Sequence, residues 1–358
     1  MPQSPDPIRW GIVGTANIAR AQFLPGLREA GGGQAALVAS RDRAKAEAYA
    51  TAHGIDQGIE GYAALVESPH IDAVYVALPN ALHAEPTIRA LRAGKAVLCE
   101  KPLSVGAAQT KEVLDVAATA AAPLWEAFVF PFQAQHQRLA RLLEDGAIGE
   151  PTELYSAFHF LLSNPANIRM DAALGGGALA DVGCYPIRLA FELFAAGAPD
   201  GGAAQACEAL IENGVDTDAA GIVTFGTRSG TRSGTSSAPQ SGTSSAARSA
   251  PQSGSRRLLL TCGFKRSFDT FTSVLGSAGQ IRLTNPFHPS PADTLTISRP
   301  NEDTVTERPT SDNRSFTAAI RHIHAVLRGE EAPLHTAADY ALPAARVLED
   351  LQRLGHTS

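Results

Sequence analysis

Cysteine, methionine and tryptophan are scarce in this sequence, with four, two and two of them among 358 residues. No two cysteines form a C-x-x-C pair, which argues against a zinc knuckle and a redox dithiol. Each cysteine lies among apolar or small residues. We therefore expect Cys99, Cys184, Cys207 and Cys262 to be buried, reduced thiols.

Metal-binding patterns are also lacking. The sequence has no H-E-x-x-H motif and no metal-binding cluster of carboxylates. His322 and His324 are two positions apart on a predicted helix, so their side chains point to different sides. We predict no metal site.

Neither a basic excess nor a long apolar run is present. Lysine and arginine number 30 against 36 aspartates and glutamates, a net charge of −6, which argues against nucleic-acid binding. No apolar run reaches the ~18 residues of a membrane span. The first ten residues, MPQSPDPIRW, lack the basic and apolar regions of a signal peptide. We expect a cytoplasmic protein without membrane or nucleic-acid partners.

The first third of the chain alternates between strand-like and helix-like patterns. Its continuous apolar runs are typical of strands buried on both faces of a parallel sheet. The alternation predicts an α/β, doubly wound Rossmann domain at 1–125. The predicted strands are 8–14, 35–40, 73–79, 96–100 and 123–129, and the predicted helices are 17–30, 42–53, 84–93 and 105–120.

The rest of the chain groups its strand-like runs together. This grouping predicts an α+β domain at 126–358 with an open, mainly antiparallel sheet. Extended segments are predicted at 151–162, 217–225, 256–264, 270–276, 279–284 and 294–299, and helices at 132–145, 180–194, 314–328 and 336–354. Residues 226–256 are rich in Ser, Gly and Thr, and we expect a disordered loop between two strands; the alternative is a basic tether.

The segment RWGIVGTANIAR has the form of a strand, a glycine turn and a helix. Gly14, Ala16 and Ala19 occupy the three positions of the G-x-G-x-x-G/A pattern, which lets the backbone approach a pyrophosphate. Alanine at the middle position adds one methyl group, which a shifted loop can absorb. Asn17 and Ile18 begin a helix whose N-terminus attracts phosphate. The turn follows the first strand of a βαβ series, and this position favours a dinucleotide site over a turn that binds no ligand.

The end of the second predicted strand indicates which cofactor binds. NAD sites usually have Asp or Glu there, whereas this chain has Ser40 and Arg41, which suit a 2′-phosphate, with Arg43 and Lys45 nearby. Asp42 fits better in the first turn of the following helix, and Ser40 alternatively serves only as a helix N-cap. We predict NADP in preference to NAD.

Polar groups also follow the fourth and fifth predicted strands, where ligands of doubly wound sheets bind. They are LPNALH at 78–83 and EKP at 100–102. With these segments the sequence resembles the oxidoreductase family of glucose–fructose oxidoreductase, inositol dehydrogenase and the MocA proteins. The resemblance covers nearly the whole chain and is carried by GIVGTANIA, ASRD, LPNALH, CEKPL, WEAF, NIR, GGGALADVGCYP and the helical end, in that order.

The resemblance implies catalytic and substrate-binding roles. Lys101 would bridge cofactor and substrate, aimed into the cleft by a cis bond before Pro102. Asp181 and Tyr185 match a D-x-x-x-[H/Y] motif, whose spacing places both on one helix face. Tyr185 would exchange a proton with the substrate hydroxyl, its pKa lowered by Lys101 and an oxidised nicotinamide. Arg169 would contact substrate hydroxyls, and Lys101, Asp181 and Tyr185 are the predicted catalytic residues.

The predicted cofactor site combines the turn, the strand ends and the resemblance. Asn80 and His83 would line the nicotinamide ribose, and the glycines at 175–177 would let the chain approach the cleft closely. The predicted cofactor contacts are Gly14, Thr15, Ala16, Asn17, Ile18, Ser40, Arg41, Leu78, Pro79, Asn80, His83, Glu100 and Lys101.

The sequence leaves the substrate open. The chain departs from the family pattern at Pro131, Gln133 and Ala134, beside the expected substrate cleft. The leading hypothesis is an NADP-dependent oxidoreductase similar to aldose dehydrogenases acting on xylose or glucose. The alternatives are dihydrodiol oxidation, keto-sugar reduction, or a non-catalytic NADP-binding regulator. The resemblance further implies a homodimer or homotetramer assembled through the open sheet face.

Overall fold

Six parallel strands form the first sheet of the computed structural model, which describes residues 6–194, 201–226, 256–309 and 314–357. The strands run in the order β3-β2-β1-β4-β5-β6. They are β1 (Ile8–Val13), β2 (Gly33–Ser40), β3 (Gln57–Glu60), β4 (Ala73–Val76), β5 (Ala96–Cys99) and β6 (Leu124–Glu126). The order reverses between β1 and β4, so a crevice opens at their carboxyl ends, where such sheets bind ligands. The predicted doubly wound fold is confirmed.

Helices cover both faces of the first sheet. Trp10 and Ile12 pack into the core on one face, and Val13 and Val74 pack into the core on the other. The helices are α1 (Leu24–Ala30), which continues a π-type turn at Ala19–Phe23, α2 (Arg43–His53), α3 (Tyr62–Val66), α4 (Ala84–Arg92) and α5 (Ala107–Ala117). β3 and α3 were not predicted, because four or five residues are too few to show a periodicity.

Eight strands form the second sheet, in the order β14-β13-β12-β11-β7-β10-β9-β8. Only the β7–β10 pair is parallel, so the predicted mainly antiparallel sheet is confirmed. The strands are β7 (Pro151–Leu161), β8 (Gly202–Glu212), β9 (Val215–Phe225), β10 (Arg256–Gly263), β11 (Lys265–Gly276), β12 (Gly279–Thr284), β13 (Leu295–Ser298) and β14 (Val305–Glu307). Except for its two end residues, the predicted loop at 226–256 lies outside the described residues.

The described residues also form four further α-helices: α6 (Ala134–Glu144), α7 (Cys184–Phe194), α8 (Ser315–Leu327) and α9 (Ala341–Thr357). α7 and α9 pack against the second sheet, whereas α8 returns to the first. Phe316 of α8 packs edge-on against Phe23 and Tyr75, and Trp10 Nε1 donates a hydrogen bond to His324 Nε2 at 2.9 Å. The C-terminal part of the chain therefore completes the core of the first sheet. The domain boundary near residue 125 stays a prediction.

The four cysteines and His322 lie in surroundings that give them structural roles. All four cysteines are buried thiols, as predicted. His322 Nδ1 lies 2.7 Å from the Glu331 carboxylate, and its Nε2 accepts the Leu334 N–H. Within the described ranges, no group of three or more metal-ligating side chains is arranged to hold a metal ion. Over the same ranges, no helix has the length and apolarity needed to cross a bilayer.

Candidate functional site

The turn after β1 approaches β4 so closely that its first position must be glycine. Gly14 has φ of +100°, and a Cβ there would lie 2.6 Å from the carbonyl oxygen of Ala77. Thr15 and Ala16 are half-buried, Asn17 is exposed, and the helical backbone begins at Asn17. This arrangement leaves a small-residue cradle open at a helix N-terminus, which fits a dinucleotide pyrophosphate.

A tyrosine that the sequence analysis did not single out holds the middle of this turn. Tyr49 of α2 donates a hydrogen bond from its hydroxyl to the carbonyl oxygen of Ala16 at 3.1 Å. The contact fixes the turn at the position where the usual pattern has glycine. The two residues are 33 positions apart in the chain, so no local pattern reveals the contact.

The end of β2 presents an arginine and no free carboxylate. Ser40 is buried, and its hydroxyl accepts the Asp42 N–H at 3.3 Å. Asp42 is the N-cap of α2, with its carboxylate accepting the Lys45 N–H at 2.7 Å. Arg41 between them is exposed. The only nearby acidic side chain in this stretch, 40–45, is therefore committed to the helix.

Asn80 and His83, after β4, connect the loops around the crevice. Asn80 Nδ2 donates to the carbonyl oxygen of Gly175 at 2.8 Å. The ring nitrogens of His83 each lie 2.8 Å from a carbonyl oxygen, that of Leu78 on one side and that of Pro102 on the other. His83 is 0% exposed, and burial lowers its pKa below the ordinary value. We therefore revise its predicted ribose contact to a role in positioning these two loops.

Lys101 and Arg169 enclose one buried carboxylate. The peptide bond between Lys101 and Pro102 is cis, as expected. Lys101 Nζ donates to the backbone oxygen of Asp181 at 2.6 Å and to its Oδ1 at 3.2 Å, while Arg169 Nε donates to Oδ2 at 2.5 Å. The Lys101 and Asp181 side chains are each only 11% exposed. The structure thus brings together three of the four predicted substrate-site residues in one ion-paired cluster.

The charges in this cluster are mutually stabilised. Burial disfavours ionisation of Asp181, but Lys101 and Arg169 outweigh it and lower the Asp181 pKa below its ordinary value. Burial likewise disfavours the Lys101 ammonium, and the carboxylate of Asp181 with the other neighbours outweighs it and raises the Lys101 pKa. Lys101 is therefore a cation over the whole neutral range.

Tyr185 completes the predicted group. Its ring centroid lies 5.0 Å from Lys101 Nζ, a cation–π distance, and the residue is 7% exposed. Burial raises the pKa of Tyr185 above its ordinary value, although the Lys101 ammonium acts in the opposite direction. The net direction is opposite to the lowering predicted from Lys101, because desolvation of the phenolate dominates. Tyr185 is therefore a protonated phenol at neutral pH.

A buried aspartate anchors the helix that carries Asp181 and Tyr185. Asp216 of β9 accepts the Leu179 N–H at 2.6 Å, at the start of the π-type turn Leu179–Gly183 that leads into α7. Gly177 has φ of +117°, and a Cβ there would lie 2.5 Å from Asp216 Oδ1. Burial raises the pKa of Asp216 to about 6. The sequence analysis missed Asp216, because it lies in a different element.

The positions where the chain departs from the family pattern are mostly interior. Pro131 and Gln133 are buried, and Ala134 begins α6. Gln133 Nε2 lies 3.5 Å from the carbonyl oxygen of Ser315, at the start of α8. These residues join α6 to α8, and their effect on the substrate stays a prediction.

Comparison with known proteins identifies the family. A model of an oxidoreductase family with an NAD-binding Rossmann fold matches residues 8–128, and a model of the Gfo/Idh/MocA C-terminal domain matches residues 136–282. The chain belongs to the Gfo/Idh/MocA oxidoreductase family. This confirms the resemblance noted from the sequence, the oxidoreductase function and the nicotinamide dinucleotide cofactor.

Several of the similar proteins are named for sugar substrates, and others are trans-1,2-dihydrobenzene-1,2-diol dehydrogenases. The dTDP-3,4-didehydro-2,6-dideoxy-α-D-glucose 3-reductase of Actinomadura kijaniata is 41% identical over 53% of this chain and 57% of its own length. The D-xylose 1-dehydrogenase (NADP⁺) 2 of Haloferax volcanii is 39% identical over 60% of this chain and 65% of its own. A crystal structure of a 3-ketoreductase from Actinomadura kijaniata with NADP and TDP-benzene has a TM-score of 0.79 and 28% identity, covering 97% and 98% of the two chains.

The turn geometry predicts that Gly14→Ala weakens NADPH binding by at least tenfold. The added methyl group would clash with the Ala77 carbonyl oxygen, so the turn has to shift and its backbone N–H groups lose the positions that would hold the phosphates. Gly94→Ala is the matched control, because Gly94 also has positive φ but open space around its Cα. Fluorescence titration with NADPH measures both. Equal affinities for the two variants would contradict the assignment of this turn.

Proposed function

We propose that the protein is an NADP(H)-dependent oxidoreductase that transfers hydride between the nicotinamide and a carbon of a sugar. The observation that carries the proposal is that Lys101 and Tyr185 meet at the carboxyl edge of the first sheet, with Lys101 Nζ 5.0 Å from the centroid of the Tyr185 ring. One member of the pair comes from the loop after β5 and the other from α7. A cation and a phenol at a dinucleotide crevice are the groups that carbonyl–alcohol interconversion needs.

The protonation states favour reduction of a carbonyl. Bound NADPH supplies the hydride. The Tyr185 phenol donates its proton to the carbonyl oxygen, and the Lys101 ammonium stabilises the negative charge that develops there. Asp181 and Arg169 hold the lysine in place. Because burial raises its pKa, Tyr185 carries its proton at neutral pH, and this is the form that proton donation to a carbonyl oxygen requires; it supports the keto-sugar reductase alternative.

Oxidation of an aldose is the second candidate. It is favoured by the 39% identity with the xylose dehydrogenase. The same residues serve this reaction with the proton moving in reverse, because a catalyst of one direction catalyses the other. The two candidates differ in which substrate, keto-sugar or aldose, gives the higher turnover.

NADP is proposed over NAD from the end of β2. The exposed guanidinium of Arg41 is available to a 2′-phosphate, whereas the carboxylate of Asp42, which would suit a 2′-hydroxyl, caps α2. Assembly as a homodimer or homotetramer and a cytoplasmic location stay predictions.

Replacement of Lys101 or Tyr185 is expected to abolish turnover. Lys101→Met and Tyr185→Phe each remove a group that stabilises or protonates the oxyanion, and each should lower kcat by about 10²–10⁴-fold. The assay follows consumption of NADPH with keto-sugars and formation of NADPH with aldoses. Lys111→Met is the matched control, since Lys111 is exposed and pairs with Asp115 one turn along the same helix, α5. Normal turnover in either site variant would contradict the proposed roles.

Arg41→Ala should reduce the preference for NADP over NAD by about 10- to 100-fold, since it removes a charged hydrogen bond to the phosphate. The ratio of kcat/KM for the two cofactors measures the effect. Arg92→Ala, which removes an exposed arginine on α4, serves as the control. An unchanged ratio in Arg41→Ala would refute the 2′-phosphate argument.

A further inference from the structure

Five aromatic or imidazole rings surround the side chain of Tyr185. Four of them are buried phenylalanines that fix the position of the phenol. The centroid distances to Tyr185 are 5.3 Å for Phe128, 6.3 Å for Phe130, 5.4 Å for Phe158, 5.1 Å for Phe287 and 5.5 Å for His288. His288 differs from the other four in being exposed and in carrying polar ring atoms.

The backbone leading to His288 is held in place by hydrogen bonds and by a buried neighbour. His136 Nε2 lies 2.6 Å from the carbonyl oxygen of Pro286, and the next residue, Phe287, is completely buried. The side-chain amide of Asn285 donates to the carbonyl oxygen of His288. The imidazole is therefore presented by a fixed backbone, as a preorganised ligand contact requires.

Both ring nitrogens of His288 are able to hydrogen-bond a ligand. Within the part of the chain that the structure describes, neither ring nitrogen has a hydrogen-bond partner. Packing against Phe158 and Tyr185 removes water from part of the imidazole, and the Lys101 ammonium acts in the same direction, so the pKa of His288 lies below its ordinary value although the residue as a whole is exposed. The neutral imidazole has one donor and one acceptor, the pair that a sugar hydroxyl matches.

We propose that His288 is a substrate-binding residue that hydrogen-bonds a hydroxyl on the carbon next to the reacting carbon. The inference rests on the proposed function, because it places the reacting oxygen at Tyr185 and Lys101. A small polyol bound there reaches the imidazole, whose centroid is 5.5 Å from that of Tyr185. His288 then selects substrates with a hydroxyl beside the reacting carbonyl over the corresponding deoxy compounds.

The test compares a substrate and its deoxy analogue in two proteins. A keto-sugar that the wild type reduces, and the analogue lacking the adjacent hydroxyl, are assayed with the wild type and with His288→Leu. For the wild type, kcat/KM should be about tenfold lower with the analogue than with the sugar. With the sugar, kcat/KM of His288→Leu should be about tenfold below that of the wild type, through a higher KM. With the analogue, the variant and the wild type should have nearly the same kcat/KM. His288→Asn should restore part of the loss, and exposed His70→Leu should behave as wild type.

Two results would overturn the inference. An unchanged KM in His288→Leu would show that the ring does not contact substrate. An equal loss on sugar and analogue would show that it acts only by packing on Tyr185. A separate NADPH titration of the wild type tests the proposed function itself. If the wild type binds NADPH but reduces no keto-sugar, the proposed function is contradicted, and the inference about His288 falls with it.

Discussion

The carboxylate of Asp181, held between Lys101 and Arg169, is the interaction on which the site depends. Each oxygen of the carboxylate pairs with a different cation. A buried charge without its partner is strongly unfavourable, so removing Asp181 would leave two cations without their anion, whereas removing either cation leaves the carboxylate with the other. The cluster also ties three separate segments together: the loop after β5, the turn around Arg169 and the start of the helix that bears Tyr185. Geometry and charge are therefore set by the same contacts.

The fold supports this cluster through contacts far from it in sequence. The reversal of strand order between β1 and β4 opens the crevice, and His83 joins the loops that follow β4 and β5. Gly176 allows the backbone to pass close to Arg169, since a Cβ would lie 2.4 Å from the Arg169 oxygen. From the second sheet, Asp216 anchors the start of the helix that bears Tyr185. Both sheets thus contribute directly to placing one ammonium and one phenol.

The parts of this arrangement that were predictable are those with a local signature. The apolar strands and intervening helices of the first sheet follow from their periodicity, and Lys101, Asp181 and Tyr185 from short motifs. β8 was missed because its alanine-rich sequence has only one β-branched residue, Ile211, and it becomes a strand by pairing with β9. The burial of His83 and the ring of His288 beside Tyr185 depend on packing between distant segments, which no local pattern encodes.

The pH dependence of turnover in Asp181→Asn tests the central claim most directly. In the wild type, the carboxylate keeps Lys101 protonated, so kcat should not fall between about pH 6 and 9 through loss of that proton. In the variant, a buried ammonium without its anion has a lowered pKa, and kcat should decline as the pH rises through that window. A variant whose pH profile and turnover match the wild type would show that the ion-paired cluster does not control the lysine.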